Sequence, residues 1–161
     1  MIRNKGFTLV ELLIGVLIIT LLALFCLPLG LSSYQKNQLQ ITENELSNAV
    51  RFARTMAMLQ GSPLVLRPLP NSKDWSDGMI LLVDNKNHCY RKGDKILHQW
   101  QWQHSAVRIS WHGFQSDDYL LFSPELKHAA SSGHFDIYVN QEKSMQLIIN
   151  RFGRITKKEK S

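Results

Sequence analysis

Between Phe7 and Leu31 the chain carries one ionisable side chain, Glu11, in an otherwise apolar run. A short basic leader with Arg3 and Lys5 precedes it. At about 25 residues and ~1.5 Å of rise each, the run is long enough to cross a bilayer as a helix. A lone carboxylate in hydrocarbon is costly unless something pairs with it, so Glu11 reads as functional. The blander alternative is a signal anchor whose acid merely lies near the interface. Arg3 and Lys5 hold the N-terminus in the cytoplasm, and no comparable basic cluster follows Leu31, so the rest of the chain faces out, into a periplasm. The run is too long for a secretory signal peptide, and no small-residue cleavage site follows it.

Beyond the run, Leu39, Leu46, Val50, Ala53 and Ala57 recur at helical steps, with polar residues on the other faces. Small residues on that stripe (Ala49, Ala53, Ala57) predict close packing against a sheet. Gln60-Gly61-Ser62-Pro63 ends the helix: Gly61 can take a left-handed cap, and Pro63 blocks resumption. From Leu64 the period falls to two. Strands are expected at 64–66, 79–83, 96–102, 107–111, 119–122, 135–139 and 145–149, about seven in all, separated by polar turns. The loop 71–78, which contains Trp75, is read as polar. The fold class is α+β: a long N-terminal helix, half transmembrane and half amphipathic, packed on antiparallel sheet. The divisions are a leader 1–6, a transmembrane helix 7–31, an amphipathic continuation 32–60, a β-rich domain 61–155 and a basic tail 156–161.

The N-terminal residues Gly6-Phe7-Thr8-Leu9-Val10-Glu11 resemble the processing motif of type IV pilins and pseudopilins. Ala49-Val50-Arg51-Phe52-Ala53-Arg54, then Gln60 to Leu66, are similar to the helix-to-first-strand passage of GspH/FimT-type minor subunits. Trp75 to Asp84, Ser132-Gly133-His134-Phe135 and Leu147 to Ile155 resemble later signatures of that group, so the likeness covers nearly the whole chain. It implies a pilin-like fold, cleavage between Gly6 and Phe7 by prepilin peptidase, and N-methylation of Phe7. It implies that Glu11 neutralises the new ammonium of a neighbouring subunit. Pro28 falls where relatives place a helix-weakening proline, and with Gly30 it offers a point of bending during assembly. The implied partners are prepilin peptidase, other major and minor pilins or pseudopilins, and the inner membrane before assembly.

The totals exclude little by themselves. The chain has 19 basic against 13 acidic side chains, a net charge of +6, which suits an anionic partner or simply a solvated surface. Of the two cysteines, Cys26 lies in the apolar run and Cys89 outside it, so no pair staples the domain. His98 and His104 are too far apart along one strand for a joint metal site, and no Cys/His/Asp set has zinc spacing. No glycine-framed serine supports a triad, and Asp117-Asp118 reads as a solvated turn. Neither cofactor, metal nor enzymatic activity is expected. Trp100, Trp102 and Trp111 could stack nucleobases, but in alternating strands they read as core.

The C-terminal cations Arg151, Arg154, Lys157, Lys158 and Lys160 read either as a solubilising terminus or as phosphate contacts to DNA. The resemblance bears on this, because some FimT-type subunits are implicated in DNA uptake through arginines after the terminal glycine. Gly153-Arg154 keeps the first of these, while Thr156 stands where a second is often found, and the terminal cysteine pair of many relatives is missing. The expected function is a minor pilin that helps initiate and cap the fibre of a type IV pilus, including a competence fibre. The alternatives are a GspH-type pseudopilin of type II secretion and, from another class, a DNA receptor acting through the basic C-terminus.

Overall fold

The computed structural model describes residues 8–72, 74–102, 107–140 and 142–159, with the side chains of 25–32 set aside. Gly6, Phe7, His104 and Lys160 therefore lie outside the described residues. The chain divides into two compact units, Met1–Asn37 and Gln38–Ser161.

Helix α1 spans Leu9–Gln60. Its entry is a capping box: the Glu11 amide donates to Thr8 Oγ1 at 3.3 Å while the Thr8 amide donates back to Glu11 Oε2 at 3.4 Å. The helix continues through Pro28, whose ring removes one backbone donor. Among the described residues no helix is long and apolar enough to cross a membrane. The expected span 7–31 includes Phe7 and the side chains 25–31, which fall outside them. At the other end Gly61 has φ +60°, the left-handed stop anticipated from the sequence.

In the second unit, eight strands among the described residues form two antiparallel sheets. The first has the order β3-β2-β1-β5, from β1 (Leu64–Pro68), β2 (Gly78–Val83), β3 (Ile96–Gln101) and β5 (Leu120–Phe122). The second has the order β4-β6-β7-β8, from β4 (Val107–Gly113), β6 (Gly133–Val139), β7 (Glu142–Ile149) and β8 (Ile155–Glu159). Leu46, Ala49, Val50, Ala53 and Ala57 of α1 share one core with Leu64, Leu66, Met79 and Leu81 of the first sheet and Trp111, Phe135, Ile137 and Leu147 of the second. Val65, Ile80 and Leu82 pack on the other face of the first sheet with Leu69, Tyr90, Tyr119 and Leu121. Coverage on both faces explains why β2 reads as a continuous apolar run rather than an alternation.

Two readings change. Trp75, assigned to a polar loop, sits in a 3-10 turn (Trp75–Asp77) and is buried edge-on against Phe135, with ring centroids 5.4 Å apart. Its indole N–H donates to the Asp117 carbonyl at 3.2 Å, so the Asp117-Asp118 turn helps seat the core. Residues 156–159, grouped above with a basic tail, are part of β8 and pair in register with β7. An edge strand tolerates lysines because it needs only backbone partners on one side. Trp111 is buried as core, whereas Trp100 and Trp102 are only partly buried against it.

Candidate functional site

Two places carry the residues singled out from the sequence: the entry of α1 and the turn between β7 and β8.

At the entry, every large apolar side chain described from Leu9 to Leu24 is 49–76% exposed. A helix that is apolar all round has to be covered, by lipid or by other helices. Among the described residues Glu11 meets only Thr8, whose hydroxyl donates to Oε2 at 3.4 Å. Charge-assisted hydrogen bonds run to about 2.7–2.9 Å, so these contacts are weak. They leave the carboxylate able to exchange Thr8 for a cation.

The turn after β7 is built by Asn150. Its side-chain oxygen accepts from the amides of Phe152 and Arg154, both at 3.0 Å. The Gly153 amide closes the turn on the Asn150 carbonyl at 2.8 Å, and Gly153 supplies the positive φ of +69° that it requires. Arg151 and Arg154 are thereby exposed on one turn, and the Arg151 guanidinium lies 5.0 Å from the centre of the Phe152 ring. The two lysines do not join them. Lys157 stands opposite Leu147 and reaches Glu43 of α1 at 3.7 Å and Glu159 at 3.5 Å. Lys158 stands opposite Gln146, on the other face of the sheet. The four cations expected to act together are thus divided: two on a turn, one turned toward the helix, one on the outer face.

Arg54 entered the sequence reading only as part of the helix-to-strand passage, with no role assigned to it. It lies beneath the same turn: a Cβ on Gly153 would come within 2.8 Å of Arg54 Cδ. Its Nε is buried and finds no hydrogen-bond partner among the described residues. Its helical position reads as one more polar residue beside Ala53, and only the path of the β7–β8 turn brings it into play. His98 stacks with Phe52 and Trp100, at 4.9 and 4.3 Å between centroids, an aromatic contact between α1 and β3.

The family model described as type II transport protein GspH matches residues 43–153. The prokaryotic N-terminal methylation motif matches residues 1–27. No curated protein matches the chain. Among solved structures, the type IV minor pilin FimU of Pseudomonas aeruginosa (strain PAO1) is similar in two crystal forms. In space group P21 the TM-score is 0.60 at 20% identity, covering 75% of this chain and 88% of that one. In P65 it is 0.53, again at 20% identity, covering 74% and 91%. That likeness is one of fold: a helix carrying antiparallel sheet. With the methylation motif at the head of the chain, the match from the later part of α1 through the turn after β7 makes this chain a member of the GspH family.

Proposed function

We propose that the chain is an inner-membrane precursor, held by its apolar helix with the β-rich domain in the periplasm. Prepilin peptidase cleaves it between Gly6 and Phe7, Phe7 is N-methylated, and the product helps initiate and cap the fibre of a type IV pilus. The observation that carries this reading is Glu11, set in an exposed apolar helix face and held, among the described residues, only by long bonds to Thr8. In a fibre, the ammonium created at Phe7 of a neighbouring subunit displaces Thr8. The buried ion pair then gives the contact its register, because an unpaired charge in that setting is strongly unfavourable. Pro28 supplies the bend as the helix moves from lipid into the fibre. The work is structural, without catalysis. Gly6→Ala tests it: the variant should accumulate as an unshortened precursor and leave the fibre fraction. Normal maturation of that variant contradicts the reading.

The description of the matching family favours a second machine, the pseudopilus of type II secretion. Removing this gene separates the two: loss of surface fibres or of DNA uptake indicates the pilus, and loss of exported proteins indicates the secretion system. A DNA-receptor role draws support from the exposed Arg151 and Arg154 on their shared turn. It predicts a gel shift whose salt slope falls by about 0.9 for each phosphate contact removed. Equal weak binding by the protein and by a variant neutralised at Arg151, Arg154, Lys157 and Lys158 dismisses it.

A further inference from the structure

A strand at the end of a sheet leaves one row of backbone amides and carbonyls without partners, and folded chains block or charge such rows to keep other chains from pairing with them. Three of the four end strands here are guarded in that way. Beside β4, Ser76 Oγ accepts from the Ile109 amide at 2.8 Å and Asp117 Oδ1 accepts from the Gly113 amide at 3.0 Å. Beside β5, the Ser131 amide donates to the Leu121 carbonyl at 2.9 Å, and Phe122 bridges to Ala130. β8 presents Lys157, Lys158 and Glu159 to solvent.

β3 is neither blocked nor charged. Ile96-Leu97-His98-Gln99-Trp100-Gln101 contains no acid, lysine, arginine or proline, and among the described residues only β2 bonds its backbone. An extra residue, Leu97, bulges at its start, and from His98 to Gln101 the strand stays in step with Leu81 to Gly78. On the α1 side of this edge, Trp100 and His98 stand opposite Met79 and Leu81 of the core. Phe52 of α1 closes on both, with ring centroids 5.7 and 4.9 Å away, and is still 38% exposed. On the other side Gln99 and Gln101 are exposed. The edge thus offers aromatic ground on one face and neutral polar ground on the other.

We propose that β3 accepts an added strand: an extended, uncharged segment of another chain, apolar at alternate positions. Its backbone completes the open row, its apolar side chains lie beside His98, Trp100 and Phe52, and its polar ones lie beside Gln99 and Gln101. A charge in the incoming segment would find no permanent counter-charge on β3, so a neutral segment fits best. A helix does not fit the row, because its own amides and carbonyls are already bonded internally. The proposal goes beyond the fibre reading and does not depend on it.

The test starts from random heptapeptides displayed on phage and selected against the full chain in non-ionic detergent; the strongest binder is then synthesised. The expected winner carries no charge and alternates apolar with polar residues. In excess it should slow amide hydrogen exchange across Ile96–Gln101 at least ten-fold, and no other part of the domain to that degree. N-methylation of the peptide at every second residue should abolish binding, while methylation at the residues between leaves affinity within two-fold, the alternation that strand pairing imposes. Phe52→Ser should weaken the peptide at least ten-fold. The exchange and methylation readings use the unaltered chain, so they decide the matter even where that variant misfolds. Failure to select a peptide, charged winners, protection centred elsewhere, methylation effects without alternation, or self-association of the chain through β3 that the peptide dissolves would each overturn the proposal.

Discussion

Asp136 is 5% exposed in the middle of β6, on the face of the second sheet turned away from α1. It is held by Lys143 Nζ at 2.7 Å and Gln146 Nε2 at 3.0 Å. His134 and His112 point at the same carboxylate from 3.7 and 4.0 Å. Burial pushes this carboxyl up, but the bonds from Lys143 and Gln146 and the charges of Lys143 and His134 outweigh it, and the group titrates below its ordinary value. A carboxyl lowered by folding contributes stability above its unfolded value, near 3.8, and that contribution disappears as pH falls through the folded value. Asp136→Asn should therefore cost about 1–2 kcal/mol at pH 7, and the gap should close as the pH drops below about 4. Thermal melts at pH 7 and pH 3 check this. Gly153→Ala places a Cβ against Arg54 at positive φ and should cost about 1–3 kcal/mol. Urea melts should show part of that loss recovered when Arg54 is shortened to Ala in the same chain. Gly61 was legible as a helix stop because a glycine before Ser-Pro at the end of a periodic run has a local meaning. Arg54 was not, since nothing within its own helix marks a residue whose significance comes from a turn about a hundred positions later.

At the scale of elements, the inner stripe of α1 was readable for the same local reason. The period of 3.6 marked Leu39, Leu46, Val50, Ala53 and Ala57; the structure buries the last four, together with Ala49, and leaves Leu39 half-buried. It also buries Thr42, a polar residue that a search for apolar periodicity passes over; its hydroxyl is satisfied by the Gln38 carbonyl at 2.9 Å. Ala53 lies in the core that α1 shares with both sheets, so Ala53→Leu should cost about 1–3 kcal/mol by overpacking. A lower midpoint in urea would register it. β8 escaped detection because Thr156-Lys157-Lys158-Glu159 has no apolar alternation. Its strand conformation comes from backbone pairing with β7 across the Asn150–Gly153 turn. Strand order escaped for a related reason: a period of two identifies a strand without naming its partner. Thus β5 pairs with β1, more than fifty residues away in sequence, with Leu66 opposite Leu120.

For the molecule as a whole, the two ends of the sequence do different work. The unit from Gln38 onward has its own core, shared by the inner stripe of α1 and both sheets. The described start of α1 exposes apolar side chains on all sides and is stable only when lipid or other helices cover it. On the proposed function such a subunit passes from lipid to a fibre, and Glu11 is the residue proposed to set how the next subunit docks. Glu11→Gln keeps the size and the bond to Thr8 but removes the charge. It should mature normally yet be depleted at least ten-fold from sheared fibres, measured by immunoblot against the membrane pool. All of this depends on a free, methylated amino group arising at Phe7. Intact-mass spectrometry of the protein extracted from its native membrane reads that group directly. The account predicts a chain that begins at Phe7 and carries one additional methyl; a chain still bearing Met1, with no methyl on its amino end, would contradict it.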